Sequence, residues 1–232
     1  MGWFDFSKKL PLSPLFEGFT DWHCHILPGV DDGFQRMEDS LDMLARYAQA
    51  GVSRVWFTPH VMEDVPNSPA ELRERFAALK AAYDGPVELH LASENMLDNL
   101  FADRLEAGDL LPFDNERLLV ETSYYNPPLG FREMLRNIVK AGWEPVLAHP
   151  ERYRYMKEED YQSLHREGIL FQLNLPSMLG LYGSTARGKA EWLLEKGMYM
   201  FSATDLHQRV VFEKLMEGSV ASKYHERLRL LL

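Results

Sequence analysis

Asp21-Trp22-His23-Cys24-His25, followed by the loop Asp31-Asp32-Gly33, is the stretch on which the reading of this chain turns. Side chains of an extended strand alternate between faces with period two. Asp21, His23 and His25 are therefore expected on one face, with Trp22 and Cys24 on the other. Two imidazoles at this spacing can hold one metal ion, or two neighbouring ones, without backbone distortion. Imidazole nitrogen suits zinc, iron and manganese, and carboxylate oxygen shifts the preference toward harder ions such as manganese. A His-x-His pair is weak by itself, since a histidine is more often solvated or packed than ligating.

Working outward, Gly18 to His25 reads as the first of seven strands. The others are Val52 to Thr58, Val87 to Ser93, Arg117 to Thr122, Pro145 to Ala148, Ile169 to Asn174 and Met198 to Thr204. Helical patterns separate them. Glu38 to Ala50 stops at Gly51, and Ser68-Pro69-Ala70-Glu71 has the form of a capping box with proline in the first turn. A charged, leucine-rich helix closes the chain. Strands alternating with helices imply a parallel sheet, either open or closed into a barrel. His25, His60, Glu94, Glu121, His149 and Asp205 fall at or just after the C-terminal ends of different strands. In a closed barrel these ends converge on one mouth, whereas in an open sheet they would be strung along an edge. The placement favours a barrel with a multi-metal site.

A chain of 232 residues is most simply one domain. Residues 1–17 read as an N-terminal leader, with Trp3, Phe4 and Phe6 lying over the domain or a partner subunit. Residues 18–232 form the domain itself. The formal charge of -10 argues against non-specific binding to nucleic acid or anionic membrane. No apolar run approaches the roughly 20 residues that span a bilayer, and no signal peptide is evident. Cys24 is the single cysteine, which excludes an intramolecular disulfide framework and fits a reducing, cytoplasmic compartment.

The candidate ligands are His23, His25, Asp32, His60, Glu94, Glu121, His149, Asp205 and His207. Any one of them could be a solvated histidine or a carboxylate capping the next helix. That reading has to hold for every member, all at one end of one fold. His90, His165 and His225 are expected to be solvated or packed. Cys24 lacks the arginine six residues on that a cysteine-based phosphatase loop requires, since Val30 stands there, and it is expected to be buried packing.

The segment Asp21 to Gly33 resembles the opening motif of the bacterial protein-tyrosine phosphatases of the PHP (polymerase and histidinol phosphatase) type, the capsular and exopolysaccharide group. Thr58-Pro59-His60, Ser93-Glu94, Val120-Glu121-Thr122-Ser123, Ala148-His149-Pro150-Glu151-Arg152-Tyr153 and Thr204-Asp205-Leu206-His207 resemble its later motifs in the same order. The resemblance covers residues 18–208. It implies an α/β fold, a distorted (β/α)7 barrel of the TIM-like PHP type, holding three divalent ions. These are commonly manganese, with iron, zinc or magnesium as alternatives. By position, His23, His25, Glu94 and Asp205 would hold the first ion. Glu94, Glu121 and His149 would hold the second, and Asp32, His60 and His207 the third. Arg152 matches the phosphate-binding arginine. The chain departs from the pattern after His207, where Arg209 is the nearest stand-in for a further arginine.

The implied activity is hydrolysis of phosphotyrosine on proteins by a metal-bound hydroxide, in control of surface polysaccharide synthesis. Arg152, Asp32 and His207 would be catalytic, with Arg152 and Arg209 binding substrate. Independently of the resemblance, Tyr124 and Tyr125 fall in a loop expected to wall the mouth, where they either flank an aromatic leaving group or cover the barrel rim. A bacterial tyrosine kinase of polysaccharide export is the implied partner, and the sequence leaves room for an oligomer. The alternatives are a small-molecule phosphatase, such as one acting on histidinol phosphate, and a non-catalytic metal-binding scaffold. A nuclease is disfavoured by the negative charge.

Overall fold

The computed structural model describes residues 8–231, so Trp3, Phe4 and Phe6 of the leader lie outside the described residues. The chain begins with β1 (Lys9–Pro11), a 3-10 turn (Ser13–Phe16), β2 (Thr20–Cys24), α1 (Met37–Ala50), β3 (Arg54–Phe57) and β4 (His60–Val61). It continues through α2 (Pro69–Ala82), β5 (Glu88–Leu91), β6 (Glu94–Met96), α3 (Phe101–Ala107), β7 (Arg117–Glu121), α4 (Phe131–Lys140) and β8 (Glu144–Ala148). A second 3-10 turn (Pro150–Arg152), α5 (Glu158–Arg166), β9 (Leu170–Asn174), α6 (Leu175–Met178), α7 (Ser184–Glu195) and β10 (Tyr199–Ala203) follow. The last elements are α8 (Arg209–Glu217), β11 (Ser219–Ala221) and α9 (Ser222–Leu228).

All seven expected strands are present, and they run parallel. One sheet has the order β10-β9-β8-β7-β6-β4 and another β2-β3-β5. The second and third expected strands are β3 and β5, and each is followed by a further short strand not expected from the sequence, β4 and β6. β3 stops before Thr58-Pro59, where proline has no N–H to give the ladder, and the chain resumes as β4. Hydrogen bonds from Ala92 N to Phe57 O (2.9 Å) and from Glu94 N to Pro59 O (3.1 Å) carry the pairing across both breaks. On the other side β10 runs into β2, with Asp205 N donating to His23 O at 2.8 Å and His25 N to Leu206 O at 3.0 Å. The result is a barrel-like α/β ring without a continuous ladder around it.

Alternation along the strands separates two cores. Leu118, Val120 and Leu147 face the helices, in one large cluster with Tyr47, Leu135 and Leu193. Leu119, Val146 and Ala148 face inward, with Trp56, Phe113 and Phe201. Strands apolar on both faces are what a sheet wrapped by helices requires. Each fully buried leucine contributes about 1.5–3 kcal/mol.

The first strand departs from simple alternation. Its pairing with β3 shifts register between Asp21 and Cys24. A bulge of this kind adds a residue to one strand and changes which face the next side chain meets. Trp22 therefore packs inward on Phe201 and Trp56, at ring separations of 4.8 and 6.0 Å. Cys24 and Asp21 meet the helical layer, Asp21 through a 2.7 Å bond from Tyr47 Oη of α1. His23 and His25 share a face as expected, but Asp21 does not join them.

The expected capping box is present, with Ser68 Oγ accepting from Glu71 N and the Glu71 carboxylate accepting from Ser68 N. Gly51 ends α1 at φ 88°, a left-handed position that glycine takes without strain. The single closing helix expected from the sequence is instead α8 and α9, parted by Gly218 and β11. Gly218 has an extended backbone (φ -73°, ψ 159°), which ends α8, and it packs closely against Leu179. β11 pairs antiparallel with β1, joining Lys9 to Ala221 and Pro11 to Ser219.

Candidate metal centre

The mouth of the ring gathers the whole candidate set. His23 and His25 come from the end of β2, and Asp32 from the loop after it. Gly33 permits that loop to lie on the backbone of His25, where a Cβ would sit 2.0 Å from His25 O. β4 supplies His60, β6 Glu94 and β7 Glu121, while His149 follows β8, and Asp205 and His207 follow β10. Among the described residues, three groups have ligand atoms within 4.8 Å of one another: His23, His25, Glu94 and Asp205; His60, Glu94 and Glu121; and His25, Asp32, His60 and His207. Glu94 is the hub. Its Oε2 lies 3.2 Å from His23 Nε2, 3.4 Å from His25 Nε2 and 3.0 Å from His60 Nδ1. Its other oxygen lies 2.9 Å from His149 Nε2, which is also 3.8 Å from Glu121 Oε2.

The donor set fits divalent cations. His60 Nδ1 lies 3.0 Å from both Glu94 Oε2 and Glu121 Oε1, yet all three atoms are buried without a hydrogen-bond partner. Leaving buried polar atoms unpartnered costs about 1–3 kcal/mol each, so a cluster of them at one point calls for a ligand. His23 Nε2 and His25 Nε2 face each other at 2.9 Å, and the Nδ1 atoms of both rings already meet side-chain oxygens, from Gln172 at 2.8 Å and Asp31 at 2.7 Å. Those oxygens fix the tautomer that turns both Nε2 lone pairs inward, as metal-ligating imidazoles require.

The charges within the site agree. Burial disfavours a charge on His60, but the Glu94 carboxylate beside it prevails and raises its pKa to about 10. Burial works in the same direction on His23 and His25, and neighbouring carboxylates again push both upward, Glu94 and Asp205 for His23 and Asp31 for His25. Against their burial, Glu94 and Asp205 are driven well below the usual carboxylate range by these imidazoles. The hydrogen bond from His207 holds Asp32 at about 2. The carboxylates demand positive charge, which protons or metal ions can supply.

Two residues at the mouth have left-handed backbones without being glycine, His149 at φ 34° and Asp205 at φ 49°. Such conformations cost roughly 1–3 kcal/mol and persist where surrounding structure imposes them, often at functional sites. Beside His149, buried Glu151 anchors the 3-10 turn by accepting from Asn174 N at 3.0 Å and Tyr199 Oη at 2.9 Å. That anchor aims Arg152 at Asp205, with Nη1 2.6 Å from Oδ2. The Arg152 guanidinium lies over Tyr124 at 4.3 Å and over Tyr182 at 4.1 Å. Tyr125 points elsewhere, with Arg154 over its ring at 4.7 Å. Arg209 lies along α8 and α1, 3.2 Å from Glu213 and 3.9 Å from Asp42.

Sequence reasoning did not single out Asp31, Gln172, Asn174 or Tyr182. Asn174 Nδ2 donates to Asp205 Oδ2 at 2.8 Å. The Asp31-Asp32 pair and the polar residues ending β9 carried a signal, whereas Tyr182 carried none. The excluded residues stay apart: His90 stacks on Trp56, and Cys24 is buried, its thiol pushed well up by burial.

Comparison with known proteins finds metal-dependent phosphatases. Tyrosine-protein phosphatase YwqE of Bacillus subtilis is 29% identical over 194 residues, covering 81% of this chain and 76% of the relative. Tyrosine-protein phosphatase CpsB of Streptococcus pneumoniae is 28% identical over 221 residues, covering 88% and 90%. Crystal structures of YwqE from B. subtilis and CpsB from S. pneumoniae, described as unique metal-dependent tyrosine phosphatases, include a chain superposing with TM-score 0.76 at 27% identity, over 92% of this chain and 94% of the other. Histidinol phosphate phosphatase from Lactococcus lactis, solved with zinc, L-histidinol and phosphate, shares the fold at 13% identity and TM-score 0.54, over 91% and 94%. The family model for capsular polysaccharide synthesis, CpsB/CapC, matches residues 19–224, and the chain belongs to that family.

Proposed function

We propose that this chain is a metal-dependent protein-tyrosine phosphatase acting in control of surface polysaccharide synthesis. The observation that carries the reading is the convergence of buried, unpartnered His60 Nδ1, Glu94 Oε2 and Glu121 Oε1 at a mouth that also presents Arg152. Three divalent ions, manganese by preference, would be held by His23, His25, Glu94 and Asp205; by Glu94, Glu121 and His149 with His60 beside them; and by Asp32, His60 and His207. When bound, such ions lower the pKa of water and offset phosphoryl charge.

The chain's own residues do the rest. Arg152 offers a planar donor fork to two phosphate oxygens. Asp32, ionised at neutral pH, accepts hydrogen bonds and does not serve as a general acid. A phenol leaves with a pKa near 10, so a strong protonating group is not required. Tyr124 walls the site beside Arg152, and Tyr125 and Arg209 contact the protein around the phosphotyrosine. A bacterial tyrosine kinase of polysaccharide export is the proposed substrate. A cytoplasmic setting suits Cys24 as a free thiol, and no helix among the described residues is long and apolar enough to cross a membrane.

The test is turnover on a phosphotyrosine peptide, histidinol phosphate and single-stranded DNA side by side, with added manganese and with a chelator. Chelator-sensitive hydrolysis of the peptide at the highest kcat/KM supports the reading. Preference for histidinol phosphate or DNA, or turnover indifferent to chelation, overturns it.

A further inference from the structure

We infer that Tyr182 is a positioning residue for phosphate capture, acting through Arg152; the inference rests on the phosphatase reading above. Arg152 carries rings on its guanidinium from two separate parts of the chain. Tyr124 follows β7, and Tyr182 sits in the turn between α6 and α7. Gly180 at φ 75° and Gly183 at φ 92° bracket that turn, and their left-handed backbones bring the chain round so that Tyr182 reaches the mouth. Ring-to-guanidinium distances of 4.3 and 4.1 Å are those of cation–π stacking.

Stacking of this kind leaves a guanidinium its in-plane N–H groups. Nη1 is committed to Asp205 Oδ2 at 2.6 Å. The remaining donors lie in the same plane, and bidentate capture of a phosphate requires the plane to be fixed. Asp205 alone constrains one end of the fork and leaves rotation about that contact free. Rings from two loops remove it. Tyr182 is 36% exposed and belongs to neither apolar cluster, so its effect on Arg152 geometry is separable from folding. The hydroxyl is not needed for stacking, whereas the ring is.

The experiment compares Tyr182→Phe and Tyr182→Ala in the metal-loaded protein, alone and combined with Arg152→Ala. KM and kcat for p-nitrophenyl phosphate are measured, together with the dissociation constant of inorganic phosphate by direct titration. Tyr182→Ala is expected to raise KM and weaken phosphate binding roughly tenfold, with metal content unchanged and a smaller effect on kcat. Tyr182→Phe is expected to stay near wild type. In the Arg152→Ala background, Tyr182→Ala is expected to add nothing. Unchanged phosphate affinity in Tyr182→Ala, a Phe variant as impaired as the Ala variant, or full additivity with Arg152→Ala each overturns the inference. Phosphate titration keeps the two readings distinguishable, because a coupled loss of phosphate affinity in a protein that does not hydrolyse phosphotyrosine refutes the proposed substrate and leaves the role of Tyr182 standing.

Discussion

His23 and His25 turn their Nε2 atoms toward each other at 2.9 Å, while Asp31 takes the far nitrogen of His25 and Gln172 that of His23. Asp31 also accepts from the His60 backbone N at 3.1 Å and from Gly33 N at 2.9 Å, so one carboxylate orients two candidate ligands and the loop carrying Asp32. Asp31→Asn keeps the shape but can turn an N–H toward His25 and release its tautomer. Metal affinity is expected to fall about 10–100-fold in a folded protein, the usual cost of losing such a partner. Competition titration with a chromogenic chelator measures it; affinity equal to wild type would contradict this role.

His207 reaches Asp32 at 3.3 Å and is only partly covered by protein. Removing it should cost little in folding. His207→Ala is expected to lower kcat on an aryl phosphate at least ~100-fold with a normal circular dichroism spectrum, and His23→Ala is expected to do the same. Normal turnover in either variant would remove the proposed centre from the chemistry.

Stability should depend on pH in opposite ways with and without metal. In the metal-free protein the folded pKa of His60 is about 10, above the ordinary value near 6.5. Its stabilising contribution is complete below about 6.5 and is lost as pH rises toward 10. Metal-bound imidazoles must be neutral, so metal binding strengthens over the same range as protons cease to compete. The Tm difference between manganese-loaded and chelated protein is expected to widen from pH 6.5 to 10 in thermal melts. A constant or narrowing gap would contradict the assignment.

Cys24 offers a chemical control. Its thiol is buried and held protonated, so iodoacetamide is expected to leave aryl phosphatase activity unchanged in the native protein. Cys24→Ala should retain hydrolysis at a cost of about 1 kcal/mol in stability, read by urea unfolding. Rapid inactivation by the alkylating agent would point to a cysteine nucleophile instead.

The strands and the mouth were legible because they rest on local patterns. Alternating apolar runs ending in a histidine or carboxylate mark strand ends however the ring closes. Asp21 was misread because the shift in its pairing with β3 is set by the partner strand and leaves no local trace. The strands beyond Thr58-Pro59 and Ala92-Ser93 were not foreseen, because β4 and β6 have only two and three residues and leave no apolar run to read. A polar residue near the end of β9 was visible, but its partner was not, since Gln172 meets His23 across 149 positions of chain; Tyr182 left no trace, since it meets Arg152 only because two turns fold to one rim.

The bonds from Asp205 N to His23 O and between β1 and β11 join the first strands to the last. A nascent chain leaving the ribosome therefore carries both β2 histidines long before their acidic partner has been synthesised. Cation loading of the full cluster must wait for Asp205 and His207 to emerge, which exposes chains interrupted before them to scavenging of metal by free histidines.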